Sequence, residues 1–116
     1  MNLPENGKLL RIFLGEGDRW QHQPLYEAIV LKARELQLAG ATVLRGPMGF
    51  GASSRLHTAK ILRLSEDLPV VIEIVDSEEK INLLLPHLDA MLTGGLVTLE
   101  DVRVLKYRAG ERPAAG

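Results

Sequence analysis

The sequence contains no cysteine, which removes disulfides, thiol nucleophiles and every zinc or iron–sulfur centre built on thiolates. Aromatic residues make up only 4% of the 116 positions, so the stacking platforms that hold single-stranded nucleic acid are missing. Neither sign of charge is in excess: Lys and Arg number 14, Asp and Glu 15, for a net charge of −1. A dedicated nucleic-acid binder carries a basic surplus to displace counterions from phosphates, and this balance argues against one. No apolar run approaches the ~20 residues of a membrane span. Residues 1–7 have neither the basic region nor the apolar stretch of a signal peptide, so a cytoplasmic location is the expectation. The remaining composition, 46% hydrophobic and 25% charged, is that of one ordinary globular domain.

Lys8 to Leu14 is a short apolar run ended by Gly15-Glu16-Gly17-Asp18, which suits a buried strand. Pro24 opens a helix to about Ala39, with Leu25, Ile29, Ala33 and Leu36 at helical spacing and Gly40 as its stop. Ala41 to Arg45 reads as a second strand. The stretch 46–67 is too long for a hairpin turn, so it is functional or mobile. Leu68 to Val75 is the clearest strand, rich in β-branched residues. Asp76 or Ser77 caps a second helix whose stripe is Ile81, Leu84, Leu85, Leu88 and Met91. Pro86 inside it is expected to kink or split it near Leu84–Leu85, and Thr93-Gly94-Gly95 ends it. Leu96 to Tyr107 is the last strand, with an irregularity expected around Glu100-Asp101. Ala109 to Gly116 is small, polar and rich in breakers, and is expected to be disordered.

The order strand–helix–strand–strand–helix–strand is the ferredoxin-like βαββαβ arrangement: an α+β fold with a four-stranded antiparallel sheet and both helices on one face. Such a sheet alternates apolar and polar residues when its other face meets water. Here Val70, Ile72 and Ile74 oppose Val71, Glu73 and Val75, and Leu10, Ile12 and Leu14 oppose Leu9, Arg11 and Phe13. Both faces are mostly apolar, with one charge on the second face of each strand. The better reading is that the helix-free face packs against another subunit, where Arg11 and Glu73 pair, because a buried charge needs a partner.

Gly46-Pro47-Met48-Gly49-Phe50-Gly51-Ala52-Ser53-Ser54 is the richest segment. Gly46 and Gly51 have P-loop separation and Ser53 sits in the Ser/Thr position, but Ala52 replaces the lysine that reaches the β- and γ-phosphates. Ser54 replaces the third glycine of G-x-G-x-x-G. Ser53, Ser54, His57 and Asp67 lack the strained elbow of a hydrolase and share one loop, so no catalytic residue is assigned. His22, His57 and His87 lie far apart with no H-x-x-x-H pair, so no metal site is expected. Glu16, Asp18, Arg19 and Trp20 form a polar loop that is either solvated, with Trp20 partly packed over the helix, or a ligand or subunit contact. Arg55, Lys60 and Arg63 form a basic trio: a solvated face, or a contact for phosphate or an acidic partner.

Arg45-Gly46 into Gly49-Phe50-Gly51, then Ser54, His57-Thr58 and Leu62 to Pro69, resemble the PII-like family of domain of unknown function 190. Gly15-Glu16, Pro24 to Ile29, Leu38 to Val43 and Gly95-Leu96-Val97-Thr98 agree as well. The resemblance covers about residues 8–107 and makes 1–116 a single PII-like domain, with 46–67 as its long mobile loop. It implies a homotrimer similar to the PII nitrogen-regulatory signal transducers, whose helix-free sheet faces meet around the threefold axis. By the same resemblance, adenine nucleotides bind in clefts between subunits. One side of the cleft corresponds to Gly46, Gly49, Phe50 and Gly51, the other to Thr93, Gly94 and Gly95. The long loop, with Arg55, His57, Lys60 and Arg63, would contact a target protein, either a membrane transporter or an enzyme. PII proteins continue the second glycine segment with a Gly-Asp-Gly-Lys run, whereas this chain continues Leu96-Val97-Thr98. AMP or ADP is therefore expected over ATP, and the long loop has no tyrosine to modify. Two alternatives remain open. One is an acylphosphatase-like hydrolase using Arg19 in the loop 15–20, and the other is a structural oligomer that binds no ligand.

Overall fold

The computed structural model describes residues 5–50, 57–58 and 68–110. Its elements run in chain order as β1 (Asn6–Gly15), β2 (Arg19–Trp20), β3 (Gln23–Pro24), α1 (Leu25–Glu35), β4 (Thr42–Arg45), β5 (Met48–Gly49), β6 (His57–Thr58), β7 (Pro69–Asp76), α2 (Glu78–Met91) and β8 (Leu96–Arg103). The main sheet has the order β4-β7-β1-β8, and every pairing in it is antiparallel. This is the ferredoxin-like α+β arrangement expected from the pattern. The expected tail lies partly outside the described residues, at 111–116.

The core forms where the apolar faces of the two helices meet one face of the sheet. Leu10, Ile12 and Leu14 from β1 and Ile72 and Ile74 from β7 join Leu25, Ile29 and Ala33 of α1 and Ile81, Leu84, Leu88 and Met91 of α2. Alternation along the strands puts their neighbours Leu9, Arg11, Phe13, Val71, Glu73 and Val75 on the opposite face, where each is half-buried. Leu44 and Leu96 on the flanking strands are about half exposed. The helix-free face is therefore apolar at its Phe13–Val71 end, where Leu44 and Leu96 flank, and carries Thr42, Glu73, Arg11, Thr98 and Glu100 farther along. Arg11 pairs with Glu73 there as expected, at 2.8 Å.

Several local expectations are corrected. The first helix ends at Glu35, before Gly40. Gln37 adopts φ +63°, its N–H donates to Arg34 O and that of Leu38 donates to Ala33 O, a Schellman terminus built without glycine. The second helix is continuous through Pro86, because the carbonyl that proline leaves without a donor is that of exposed Asn82. Ser77 is its N-cap, accepting from Lys80 N at 3.2 Å. The last strand stops at Arg103, and its register to β1 is unbroken from Leu96 to Arg103, so no irregularity occurs at Glu100-Asp101. Between β1 and α1 the chain forms the hairpin β2–β3, turned by Gln21 and His22, both at positive φ. Trp20 of this hairpin packs against the core.

Candidate functional site

Strand β4 delivers Arg45 and Gly46 to one end of the sheet, where Gly46 N donates to Pro69 O at 2.7 Å. A Cβ on Gly46 would stand 3.0 Å from Pro69 Cγ, and one on Gly49 would stand 3.1 Å from it. Close approach to the proline ring thus favours glycine at both positions. Met48 and Gly49 pair with Thr58 and His57, so a two-rung ladder forms the base of the long connection. Phe50 is 73% exposed beside it, an unusual placement for a large apolar ring with no internal role. Gly51, Arg55, Lys60 and Arg63 lie outside the described residues, and His57 is described only as the ladder partner of Gly49.

The second glycine segment follows α2, which closes with Leu92 N donating to Leu88 O at 2.8 Å. Thr93, Gly94 and Gly95 then lead into β8. Gly95 has φ +100°, and a Cβ there would lie 2.6 Å from Phe13 O, so both conformation and space demand glycine. A Cβ on Gly94 would meet nothing within 4 Å. Among Gly46, Gly49, Gly94 and Gly95, it alone has no packing reason for its identity.

The register puts both segments at the same end of the sheet, since Phe13 pairs with Leu96 and Arg45 with Val70. It does not bring them together. Strands β7 and β1 lie between β4 and β8, a separation of roughly 14 Å at ordinary inter-strand spacing. Among the described residues no strand pairs with the outer edge of β4 or of β8. Each chain therefore carries one glycine segment at each edge of the sheet.

Charge is arranged around these features in pairs. Glu16, just past β1, forms an ion pair with Arg45, a contact not anticipated from the sequence. On the helix-free face Arg11 meets both Glu73 and Glu100, at 2.8 and 2.5 Å. The hydrogen bond to Glu73 is the main reason its guanidinium is held even above the ordinary arginine range. Lys8 is raised chiefly by its hydrogen bond to Asp101. Arg19 Nη2 donates to His22 O at 2.8 Å and so closes the hairpin turn. No group of three His, Cys, Asp or Glu that could hold a metal occurs among the described residues. No helix there is long and apolar enough to cross a membrane.

The DUF190 family, described as "Uncharacterized ACR", matches residues 7–104. A UPF0166 protein of Aquifex aeolicus is 42% identical over 98 residues, covering 84% of this chain and 92% of its own. A UPF0166 protein of Methanocaldococcus jannaschii is 39% identical over 100 residues, covering 85% and 92%. Among solved structures, the nitrogen regulatory PII-like protein CPII of Thiomonas intermedia, bound to ADP, AMP and bicarbonate, superposes with a TM-score of 0.64 at 20% identity, covering 87% of this chain and 90% of that one. A candidate PII-like signaling protein of Thermus thermophilus gives 0.63 at 21% identity, covering 90% and 93%. At these identities the structural likeness establishes the fold.

Proposed function

Because the chain belongs to the family of domain of unknown function 190, we propose that it is a PII-like regulatory protein, not an enzyme, that binds an adenine nucleotide between subunits of a cytoplasmic homotrimer. The observation that carries this reading is the placement of the two glycine segments at opposite edges of one sheet, at the same end. A head-to-tail ring sets the β4 edge of one copy beside the β8 edge of the next, and a rotation that closes makes every such junction identical. Each junction would then bring Gly46, Gly49 and Phe50 of one subunit, the described part of the segment expected to end at Gly51, near Thr93, Gly94 and Gly95 of its neighbour. The helix-free face supports the same assembly, because its apolar end, with Leu44 and Leu96 about half exposed, is the kind of surface that marks an interaction site. Arg11 and its carboxylates provide internally paired charge within it.

The PII-like fold of a neighbour solved with ADP and AMP supports an adenine nucleotide as the ligand. Backbone amides in the glycine segments can hold one or two phosphates without a side-chain cation. A triphosphate calls for Lys, Arg or metal, and neither glycine segment contains lysine. AMP or ADP is therefore favoured over ATP. The connection 46–67, with Arg55, His57, Lys60 and Arg63, would report occupancy to a partner protein, a membrane transporter or an enzyme. The ligand must bind two states of that connection unequally to shift them. The hydrolase alternative needs Arg19 to hold an oxyanion, whereas its Nη2 donates to His22 O across the hairpin turn.

Light scattering combined with calorimetry tests the proposal. The expected mass is about three times the 12.8 kDa chain, with saturable heat from AMP or ADP and weaker binding of ATP. A clean monomer, or an assembly silent to all three nucleotides, would overturn it.

A further inference from the structure

The long connection leaves the sheet after β4 and returns at β7, and one residue outside it holds both ends. Glu16 donates its backbone N–H to Leu68 O at 2.7 Å on the returning side. Its carboxylate pairs with Arg45 on the leaving side. The first amide past Arg45, that of Gly46, is fixed to Pro69 O at 2.7 Å. Glu16 is thus a staple: its backbone is tied to one arm of the connection and its side chain to the other.

The two partners of the ion pair are unequally accessible. The Arg45 side chain is 57% exposed and that of Glu16 only 16%. A dissolved anion can therefore reach the guanidinium, while the carboxylate sits behind it. Arginine presents five donors in a planar fork that suits phosphate oxygens in a bidentate grip. An ion pair with one partner this exposed contributes little to folding, so exchanging its carboxylate for another anion costs the fold little. Arg45 immediately precedes the glycine segment, and that segment supplies amides but no cation of its own.

We propose that Arg45 is the anion-reading side chain of the cleft and that Glu16 is its built-in competitor. A phosphate-bearing ligand gains Arg45 only by displacing the Glu16 carboxylate, which unties the leaving arm of the connection from the returning arm. The displaced carboxylate stays close, because the Glu16 amide remains bonded to Leu68 O. It then repels additional phosphate charge. One residue thereby links occupancy to the tether at the loop base and sets how many phosphates the cleft accepts. This inference rests on the cleft reading given above.

Calorimetric titration of the assembled wild type, Glu16→Gln, Arg45→Gln, Arg45→Lys and the Glu16→Gln/Arg45→Gln double variant, each with AMP, ADP, ATP and inorganic pyrophosphate, tests it. Glu16→Gln is expected to bind ADP and pyrophosphate about tenfold more tightly and to narrow the gap between ADP and ATP. Arg45→Gln is expected to weaken ADP about tenfold, and the double variant to match Arg45→Gln alone, as two residues on one pathway do. Arg45→Lys keeps the charge but loses the fork; it should bind more weakly than wild type and covers the case in which Arg45→Gln fails to assemble. If wild type binds ADP while Glu16→Gln leaves ADP and pyrophosphate unchanged, or the two effects simply add, the inference is overturned and the nucleotide cleft stands. If no nucleotide binds wild type, the nucleotide reading falls, and pyrophosphate decides the inference alone. Binding that tightens in Glu16→Gln and is lost in Arg45→Gln upholds it, and any other pyrophosphate result overturns it.

Discussion

Arg11 donates to Glu73 directly across the β1–β7 ladder at 2.8 Å, and the same guanidinium reaches Glu100 on the other side at 2.5 Å. One cation thus holds carboxylates from both neighbouring strands on a face whose one end is apolar, with Thr42 opposite Glu73 and Thr98 opposite Arg11 in the register. If that face closes against other subunits, removing the cation strands two carboxylates in a desolvated interface. Breaking such a group costs far more than replacing it as a whole by apolar residues. Arg11→Leu is expected to weaken self-association by on the order of a hundredfold, measured by analytical ultracentrifugation. Arg11→Leu combined with Glu73→Leu and Glu100→Gln should recover most of the loss. Unchanged association in the single variant would remove this face from the interface.

Gly95 and Gly94 separate structure from function within one dipeptide. Gly95→Ala places a methyl 2.6 Å from the Phe13 carbonyl oxygen at φ +100°. A non-glycine residue in such a conformation costs about 1–3 kcal/mol, so the melting temperature should fall by several degrees at fixed protein concentration. Gly94→Ala meets nothing within 4 Å and should leave stability within about 0.5 kcal/mol of wild type. Its effect belongs to ADP affinity alone. Equal melting temperatures for the two variants would contradict this division.

Asp76 is the one buried charged residue among the described core positions, 2% exposed. Its Oδ2 accepts from Ala39 N and its Oδ1 from Ser77 N, both at 2.7 Å. The carboxylate therefore ties the connection after α1 to the junction of β7 and α2. Asp76→Ala leaves two N–H groups without that acceptor, and a buried unsatisfied donor costs about 1–3 kcal/mol. Urea denaturation should show at least one such penalty in the midpoint. Asp76→Asn should lose less, since its amide oxygen can replace one of the two acceptors.

Lys8 gives the pH dependence a definite sign. Its hydrogen bond to Asp101 raises its folded-state pKa, so folding favours the protonated ammonium. The contribution is fully present below the ordinary lysine value and is lost as pH rises through the raised one. The neutral range should be flat in this respect, with the loss confined to alkaline conditions. Asp101→Asn should return the Lys8 titration, followed by NMR, toward the ordinary lysine value. An unmoved titration would rule out the pair as its cause.

The sheet and its two faces were legible because alternation is a strong signal: Leu10, Ile12 and Leu14 against Leu9, Arg11 and Phe13 already implied a second, largely apolar face and the Arg11–Glu73 pair. The glycine segments were legible as a string, but the reasons for the individual glycines were not. Gly46 and Gly49 answer to Pro69, and Gly95 to Phe13, contacts between residues far apart in the chain. Glu16 was legible as part of a polar loop and Arg45 as the residue before a glycine segment, but not as an ion pair, since nothing local says that a β1 exit and a β4 end share a strand-end corner. The Schellman turn at Gln37 was missed because glycine is the usual left-handed residue, and Gly40 stood three positions away. The hairpin β2–β3 was hidden for the same reason, its turn being made by Gln21 and His22.

A cleft assembled from two chains makes a prediction that a cleft within one chain cannot. Phe50 is exposed at the β4 edge and Gly94 stands in open space before β8, so an aspartate at either position should leave the fold intact while repelling phosphate. Phe50→Asp and Gly94→Asp should each form assemblies silent to ADP. In a head-to-tail ring each cleft draws one half from each of two neighbours. Random equal mixing of the two variants then pairs an intact β4 side with an intact β8 side in about one quarter of the clefts. Co-refolded mixtures, with mixing verified by native mass spectrometry, should therefore recover ADP binding at about one quarter of the wild-type stoichiometry and near wild-type affinity. Mixed assemblies that remain silent would place both halves in the same chain, against the sheet order, and sink the intersubunit site.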